Sequence, residues 1–246
     1  MIRLTARVSG LAVFIASVCY RSTPRAGRSA NYSGIFVVNP HPTEDSVRAP
    51  AAFHIVIPTT GRRTIFKMLE SLELQLHPQD AVTVGFDGLD QESVFDEVQT
   101  LLQRMPGQNE AIMETKYADM GNSIREKHKE RRGDFVMFAD DDNWYTPNAL
   151  AMVRAVVHSD REALYVFQLQ FSDNENRLPN MVENGEIEYG NIDTGCGVVP
   201  VKHVHLSDWL QDGYGADGWF YNKLSERLPR TYMIQEVLFM YSGAHG

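Results

Sequence analysis

The stretch Phe135-Val136-Met137-Phe138-Ala139-Asp140-Asp141-Asp142-Asn143-Trp144-Tyr145-Thr146-Pro147 decides the reading of this chain. Five apolar residues in a row predict a short buried strand, and three carboxylates follow where that strand should end. Thr146 is placed to cap a new helix starting at Pro147, with Ala149-Leu150 and Met152-Val153 as its apolar stripe. The triple aspartate therefore falls on a strand-to-helix connection, where ligands bind in open α/β sheets. Adjacent carboxylates repel, and burying one without compensation raises its pKa and costs stability. A divalent cation relieves the conflict. In an extended chain Asp140 and Asp142 point to one side and Asp141 to the other. Such a pair suits Mg²⁺ or Mn²⁺, which complete their shells with water and phosphate oxygens. The plain alternative is a solvated acidic turn that also charges the start of the next helix.

Upstream, the same strand-then-polar-ending pattern repeats. Phe53 to Ile57 is a compact apolar strand ended by Pro58-Thr59-Thr60-Gly61, and Ile65 to Leu76 then carries helical spacing at Ile65, Met68, Leu69, Leu72 and Leu76. Ala81 to Phe86 predicts the next strand, closed by Asp87-Gly88. A helix over Ser93 to Arg104 stops before Pro106-Gly107, and Ala111 to Thr115 makes a third strand. The segment from Asn122 to Arg132 is a strongly charged helix with one wet face. Helix Pro147 to His158 and strand Leu164 to Phe171 follow the aspartates. Strands alternating with helices of this length predict an α/β fold, a mostly parallel central sheet with helices on both faces. That architecture lines up Thr59, Asp87 and the triple aspartate along one rim. Taken singly, Asp87-Gly88 reads as a turn and Thr59-Thr60-Gly61 as a helix cap.

The last third is less regular. Asn174 to Tyr189 is polar and reads as a loop or small hairpin. Gly195-Cys196-Gly197-Val198-Val199 joins glycines to a short strand, either for close backbone approach to a ligand or as a bulge. Asp217, in Ala216-Asp217-Gly218-Trp219, stands before a helix with Phe220 and Leu224 inward and would serve equally as its N-cap. Tyr232 to Tyr241 predicts a final strand.

Composition sets the outer bounds. With 246 residues, 43% hydrophobic and 22% charged, the chain can bury one substantial core. A net charge of −9 argues against a nucleic-acid partner. Cys19 and Cys196 imply no disulfide framework or zinc cluster. Residues 1 to about 50 stand apart, with five arginines and no acidic residue through Thr43, which leaves about −14 for the remainder. Val8 to Tyr20 is an apolar run of 13 with basic flanks. It is short for a membrane span, which needs roughly 17–25 residues. A signal peptide, an organellar transit peptide and a short signal anchor all fit. Residues 1–50 are thus read as a leader and 51–246 as the folded α/β domain, with the secretory pathway or Golgi favoured over another organelle or the cytoplasm.

The order of these motifs resembles a known family. Ile55-Val56-Ile57-Pro58-Thr59-Thr60-Gly61-Arg62, then Phe86-Asp87-Gly88, then Gly121-Asn122-Ser123-Ile124-Arg125, then Gly133-Asp134 through Asp142, is similar to GT-A glycosyltransferases of the family 2 type. The resemblance covers roughly residues 52 to 228. It implies a nucleotide-sugar donor, most often a UDP-sugar, a Mn²⁺ or Mg²⁺ ion, and an acceptor hydroxyl on a glycan, glycoprotein or other molecule. Membrane association would come through the N-terminal segment. Carried over by position, Pro58, Thr59, Arg62, Asp87, Arg125, Asp140 and Asp141 would border the nucleotide sugar. Asp142 and Asp140 would hold the metal, with His245 a late third ligand. Gly195, Cys196, Gly197 and Trp219 would lie on the acceptor side, and Asp217 would be the general base of an inverting transfer. The chain departs from the pattern in having Phe86-Asp87-Gly88-Leu89 for Asp-Asp-Gly-Ser, no Glu before Asp217, and no Gln/Arg-x-x-Arg-Trp element. Two other readings stay open: a sugar-nucleotide nucleotidyltransferase, which should carry a Gly-rich phosphate loop near its first strand, and a degenerate GT-A domain kept for binding.

Overall fold

All seven residues of strand β2 (Phe53–Thr59) are buried, as expected of a strand covered on both faces in a parallel sheet. The computed structural model describes residues 49–88, 92–158, 160–179, 187, 190–209 and 215–242, together with the backbone of 35–38. Around β2 lie β3 (Ala81–Asp87), β4 (Glu110–Glu114) and β5 (Phe135–Phe138), paired in the order β5-β2-β3-β4, all parallel. A second parallel block consists of β1 (Ile35–Val38), β7 (Leu164–Phe171) and β10 (Thr231–Tyr241), in the order β1-β10-β7. Strand β9 (Gly197–Pro200) runs antiparallel to both β5 and β7 and joins the blocks into one sheet. Because β9 opposes both neighbours, the two blocks point the same way and their carboxyl ends share one rim. Two short strands, β6 (Trp144–Tyr145) and β8 (Arg177–Leu178), pair with β10 and β7.

Five described helices cover the sheet: α1 (Ile65–Glu73), α2 (Glu92–Leu102), α3 (Asn122–His128), α4 (Ala149–Val157) and α5 (Ala216–Arg227). Successive strand residues face opposite sides, so β3 shows that both faces are covered. Phe86 packs its ring edge-on against Phe95 of α2 at 5.2 Å. Gly85, one residue earlier, lies under Ile124 of α3, so close that a Cβ there would overlap the Ile124 side chain. At the opposite rim, buried Asp80 accepts from Phe53 N–H (2.9 Å) and His77 N–H (2.7 Å) and pairs with the buried Arg154 of α4. This pair ties α4 to the starts of β2 and β3, and removing either member would strand a buried charge.

Several local expectations need correction. Thr146 does not cap the following helix: its hydroxyl donates to Val237 O, and Asn148, with φ 66°, precedes the first helical residue. Helix α3 is shorter and less wet than its charges imply, because Arg125, His128 and Lys129 are buried where it lies flush on the sheet. Strand β6 had no signal of its own. Strand β1, on the sheet's edge, falls within residues 1–50, so the sheet begins before residue 51. Among the described residues no helix is long and apolar enough to cross a membrane; Val8 to Tyr20 lies outside them.

Candidate active site

The register of β2 on β5 builds the site. Phe53 pairs with Phe135 and Val56 with Phe138, and Ala139 N–H continues the ladder to Val56 O at 3.1 Å. Strand β2 runs three residues further, so Pro58 to Thr60 come level with the three aspartates. Asp141, only 2% exposed, turns inward, accepts from the Thr59 hydroxyl and pairs with Arg62. Thr59 in turn accepts from Gly61 N–H at 2.9 Å, which fixes the turn carrying Arg62. Asp140 and Asp142 keep 32% and 20% of their side-chain surface. Asp142 meets Arg62 Nη1 at 3.0 Å, and Asp140 pairs with buried Arg125, which also donates to Met120 O (2.8 Å) and Asn122 Oδ1 (3.1 Å). Burial pushes the Asp141 and Asp142 carboxyls up against the pull of Arg62, and Asp140 raises Asp142 further.

These groups face a cavity of about 600 Å³ at the carboxyl rim. Pro58, Thr59, Arg62, Asp87, Arg125, Asp140, Asp141, Asp142 and Asp217 all line it, as do residues from the second block. The Asp87 carboxylate accepts from Tyr117 N–H (2.6 Å) and Ala118 N–H (3.1 Å), so it holds the connection after β4 while bordering the cavity.

Asp217 enters from α5. It is the second helical residue rather than the cap, because Gly215, with φ 101°, occupies that position. Its carboxylate accepts from Gly218 N–H at 2.7 Å. The helix is held by packing: Phe138 of β5 meets Trp209 edge-on at 5.0 Å and Phe220 at 5.5 Å, and Trp209 stacks on Phe220 at 4.3 Å. Burial, with Asp140 nearby, raises the Asp217 carboxyl to about 6.

A sixth acid of the cavity, Asp193, had no place in the sequence reading. It precedes a 3₁₀ turn (Thr194–Cys196), where its carboxylate accepts from Gly195 N–H at 2.9 Å. It keeps some solvent contact on the cavity side, yet dense surroundings and the negative neighbours Asp140 and Asp217 raise it to about 8. The only sequence signal was an aspartate two residues before a glycine, an Asx-turn pattern too common to mark a site.

The acceptor-side residues are placed differently. Gly195, Cys196 and Gly197 are not among the cavity-lining residues. A Cβ on Gly195 would overlap the Phe239 ring, and one on Gly197 the Tyr221 ring, so ring packing accounts for both glycines. The Cys196 thiol is buried and shifted upward by that burial. Trp219 is 45% exposed, with Lys223 Nζ 4.4 Å from its ring centroid, and does not line the cavity. His245 lies outside the described residues, as do 180–186, 188 and 189 of the 174–189 excursion, whose first part forms the short strand β8.

Known structures with the same arrangement fix the type of fold. S. aureus TarS 1-349 in complex with UDP-GlcNAc superposes with a TM-score of 0.64 at 15% identity, over 79% of this chain and 59% of that one. The mannosyltransferase PcManGT from Pyrobaculum calidifontis, in complex with GDP-Man and Mn2+, gives 0.62 at 13% identity, over 81% and 59%. The chain has a GT-A-like fold. It spans about three-fifths of the length of these neighbours. No family model matches the sequence, and no curated protein does. The GT-A-like fold places the aspartate-rich rim where a ligand would meet both parallel blocks.

Among the described residues no three His, Cys, Asp or Glu side chains converge as a ready metal cage. The donor set nevertheless fits a hard cation. Six aspartates (Asp87, Asp140, Asp141, Asp142, Asp193 and Asp217) share the cavity with two arginines, Arg62 and Arg125, and a divalent ion would offset an excess of negative charge there.

Proposed function

We propose that this chain is a glycosyltransferase that moves a sugar from a nucleotide-sugar donor to an acceptor hydroxyl, in a single displacement that inverts the sugar. The observation that carries this reading is the convergence of Asp140, Asp142 and Asp217 on one cavity at the carboxyl rim of a GT-A-like sheet. The neighbours that hold UDP-GlcNAc and GDP-Man support it at the level of fold.

Pro58, Thr59, Arg62 and Asp87 border the end of the cavity assigned to the nucleotide, with Arg125 and Asp141 bracing it. Asp140 and Asp142 would hold Mn²⁺ or Mg²⁺, Asp142 exchanging its contact with Arg62 for the ion; His245 is the proposed late ligand. When bound, the ion would neutralise charge growing on the leaving diphosphate. Arg62, which also pairs with Asp141, would supply a second positive charge on that side of the cavity. Asp217 would take the proton from the attacking hydroxyl. A base whose conjugate acid titrates at about 6 is largely ionised at neutral pH while keeping useful proton affinity. Gly195, Cys196 and Gly197 would shape the acceptor side through the backbone they set, and Trp219 would border it from the surface. A UDP-sugar is the favoured donor, and the acceptor is a glycan, glycoprotein or other hydroxyl compound. The basic N-terminal segment is assigned to secretory or Golgi membrane targeting.

Thermal unfolding of the full chain with UDP-GlcNAc, other UDP-sugars and GDP-mannose, with and without MnCl2, tests this directly. One donor is expected to raise Tm only with the metal, and Asp142→Asn is expected to abolish that increment while folding normally. If no donor shifts wild type and the variant responds identically, the transferase assignment is wrong.

A further inference from the structure

The six acids of the cavity divide by partner. Asp141 and Asp142 pair with Arg62, and Asp140 with Arg125. Asp87 accepts from two backbone N–H groups. Among the described residues Asp193 and Asp217 have no ion-pair partner. Asp87 and Asp217 have assigned tasks in the transfer; Asp193 does not. Yet Asp193 is held more firmly than an ordinary loop acid. One carboxylate oxygen accepts from Gly195 N–H (2.9 Å), and its main-chain carbonyl accepts from Cys196 N–H (3.0 Å). The turn is clamped from behind by the Phe239 ring against Gly195 and by the Tyr221 hydroxyl, which donates to Thr194 O at 2.7 Å.

This leaves the second carboxyl oxygen of Asp193 as a hydrogen-bonding group on the cavity wall, held by a rigid turn and committed to no cation. It offers a phosphate no positive charge. A neutral, hydroxyl-bearing group fits it, because a carboxyl group, protonated or not, keeps acceptor capacity for an O–H donor. Position narrows the identity of that group. Asp193 stands just before β9, whose amino end lies beside the Asp140 end of β5, and it lines the same cavity as Asp140, Asp142 and Asp217. It therefore borders the space shared by the carboxylates assigned to the metal and the base that would receive the acceptor, where the transferred sugar would sit.

We infer that Asp193 is a positioning residue that accepts a hydrogen bond from a hydroxyl of the donor's sugar ring. The inference rests on the nucleotide-sugar reading above. It assigns Asp193 no proton transfer and no metal.

Calorimetric titration of the full chain in MnCl2, with UDP, UDP-GlcNAc, GDP and GDP-mannose, separates the possibilities, using wild type, Asp193→Asn and Asp193→Ala. Asparagine keeps an oxygen for the Gly195 N–H, so the turn survives, but it puts an NH2 donor where a hydroxyl would meet the second oxygen. The expected result is unchanged affinity for the nucleoside diphosphate in Asp193→Asn, with a loss of roughly 10- to 100-fold for the matching nucleotide sugar. Asp193→Ala should lose the same discrimination and also lower Tm. Equal affinities of wild type and Asp193→Asn for the nucleotide sugar would overturn the inference, as would equal losses for diphosphate and sugar nucleotide, the mark of a purely structural role. Failure of wild type to bind any nucleotide would instead overturn the transferase reading, and this inference with it.

Discussion

The two sides of the cavity handle negative charge in opposite ways. On the β2–β5 side each carboxylate of the triple aspartate is matched to an arginine. On the β9–α5 side Asp193 and Asp217 face the same space without one, and both are shifted upward, to about 8 and about 6. Burial pushes Asp141 and Asp142 upward too, but there Arg62 pulls against it; carboxylates held by arginines keep their geometry, which suits the side proposed to hold phosphate and metal. Unmatched, crowded carboxylates keep proton affinity, which suits the side proposed to bind and deprotonate hydroxyl groups.

The contrast breaks most visibly at Asp217. Asp217→Asn is expected to lower kcat by about 10²- to 10⁴-fold, the range for losing a general base, while nucleotide-sugar binding persists; single-turnover rates beside calorimetric affinities check this. A fall in affinity with kcat unchanged would move the base elsewhere. Next in size is Gly195→Ala, which forces a methyl group into the Phe239 ring and disturbs the turn that carries Asp193 without altering any charge. A loss of about 1–3 kcal/mol in urea unfolding is expected, as for other overpacked sites. Arg62→Ala should cost about 1–2 kcal/mol by leaving buried Asp141 without its partner, below the range for a fully buried pair because Arg62 is half open to water. Asp141→Asn combined with Arg62→Ala should cost less than the sum of the two.

The smallest effect concerns pH. Asp193 holds its proton in the folded state to about 8, well above the value in an unfolded chain. The stability this adds is complete in acid and disappears as pH rises through about 8. Between pH 6.5 and 9, wild-type Tm should therefore fall more steeply than that of Asp193→Asn. His54, lowered to about 3 by burial and nearby Arg132 and Arg131, opposes this trend only below its ordinary 6.5, outside that window. Parallel Tm profiles for the two proteins would show that Asp193 titrates as an ordinary surface acid.

What could be read in advance follows from how local each cause is. The strands, their polar endings and the rim they form are written in runs of five to seven residues, and the mostly parallel sheet follows from their alternation with helices. The inward turn of Asp141 depends on β2 outrunning β5 by three residues, a long-range register that no window of sequence contains. Arg125 looked like part of a wet helix face. It is buried because α3 settles onto the bare backbone at Gly85, a contact between residues far apart in the chain. The glycines at 195 and 197 were legible as special, but the two aromatic rings from β10 and α5 that press against them were not. Asp193 was hidden because its neighbours come from three separate elements.

Strand β9 carries a mechanical consequence. It arrives late in the chain, yet it lies between β5 and β7 and hydrogen-bonds to both. The two walls of the cavity are thereby stitched into one continuous sheet, and the floor contains no hinge on which they could swing apart. Any movement over a bound ligand would then fall to side chains and connections along the rim, such as the Arg62 turn, above this continuous sheet.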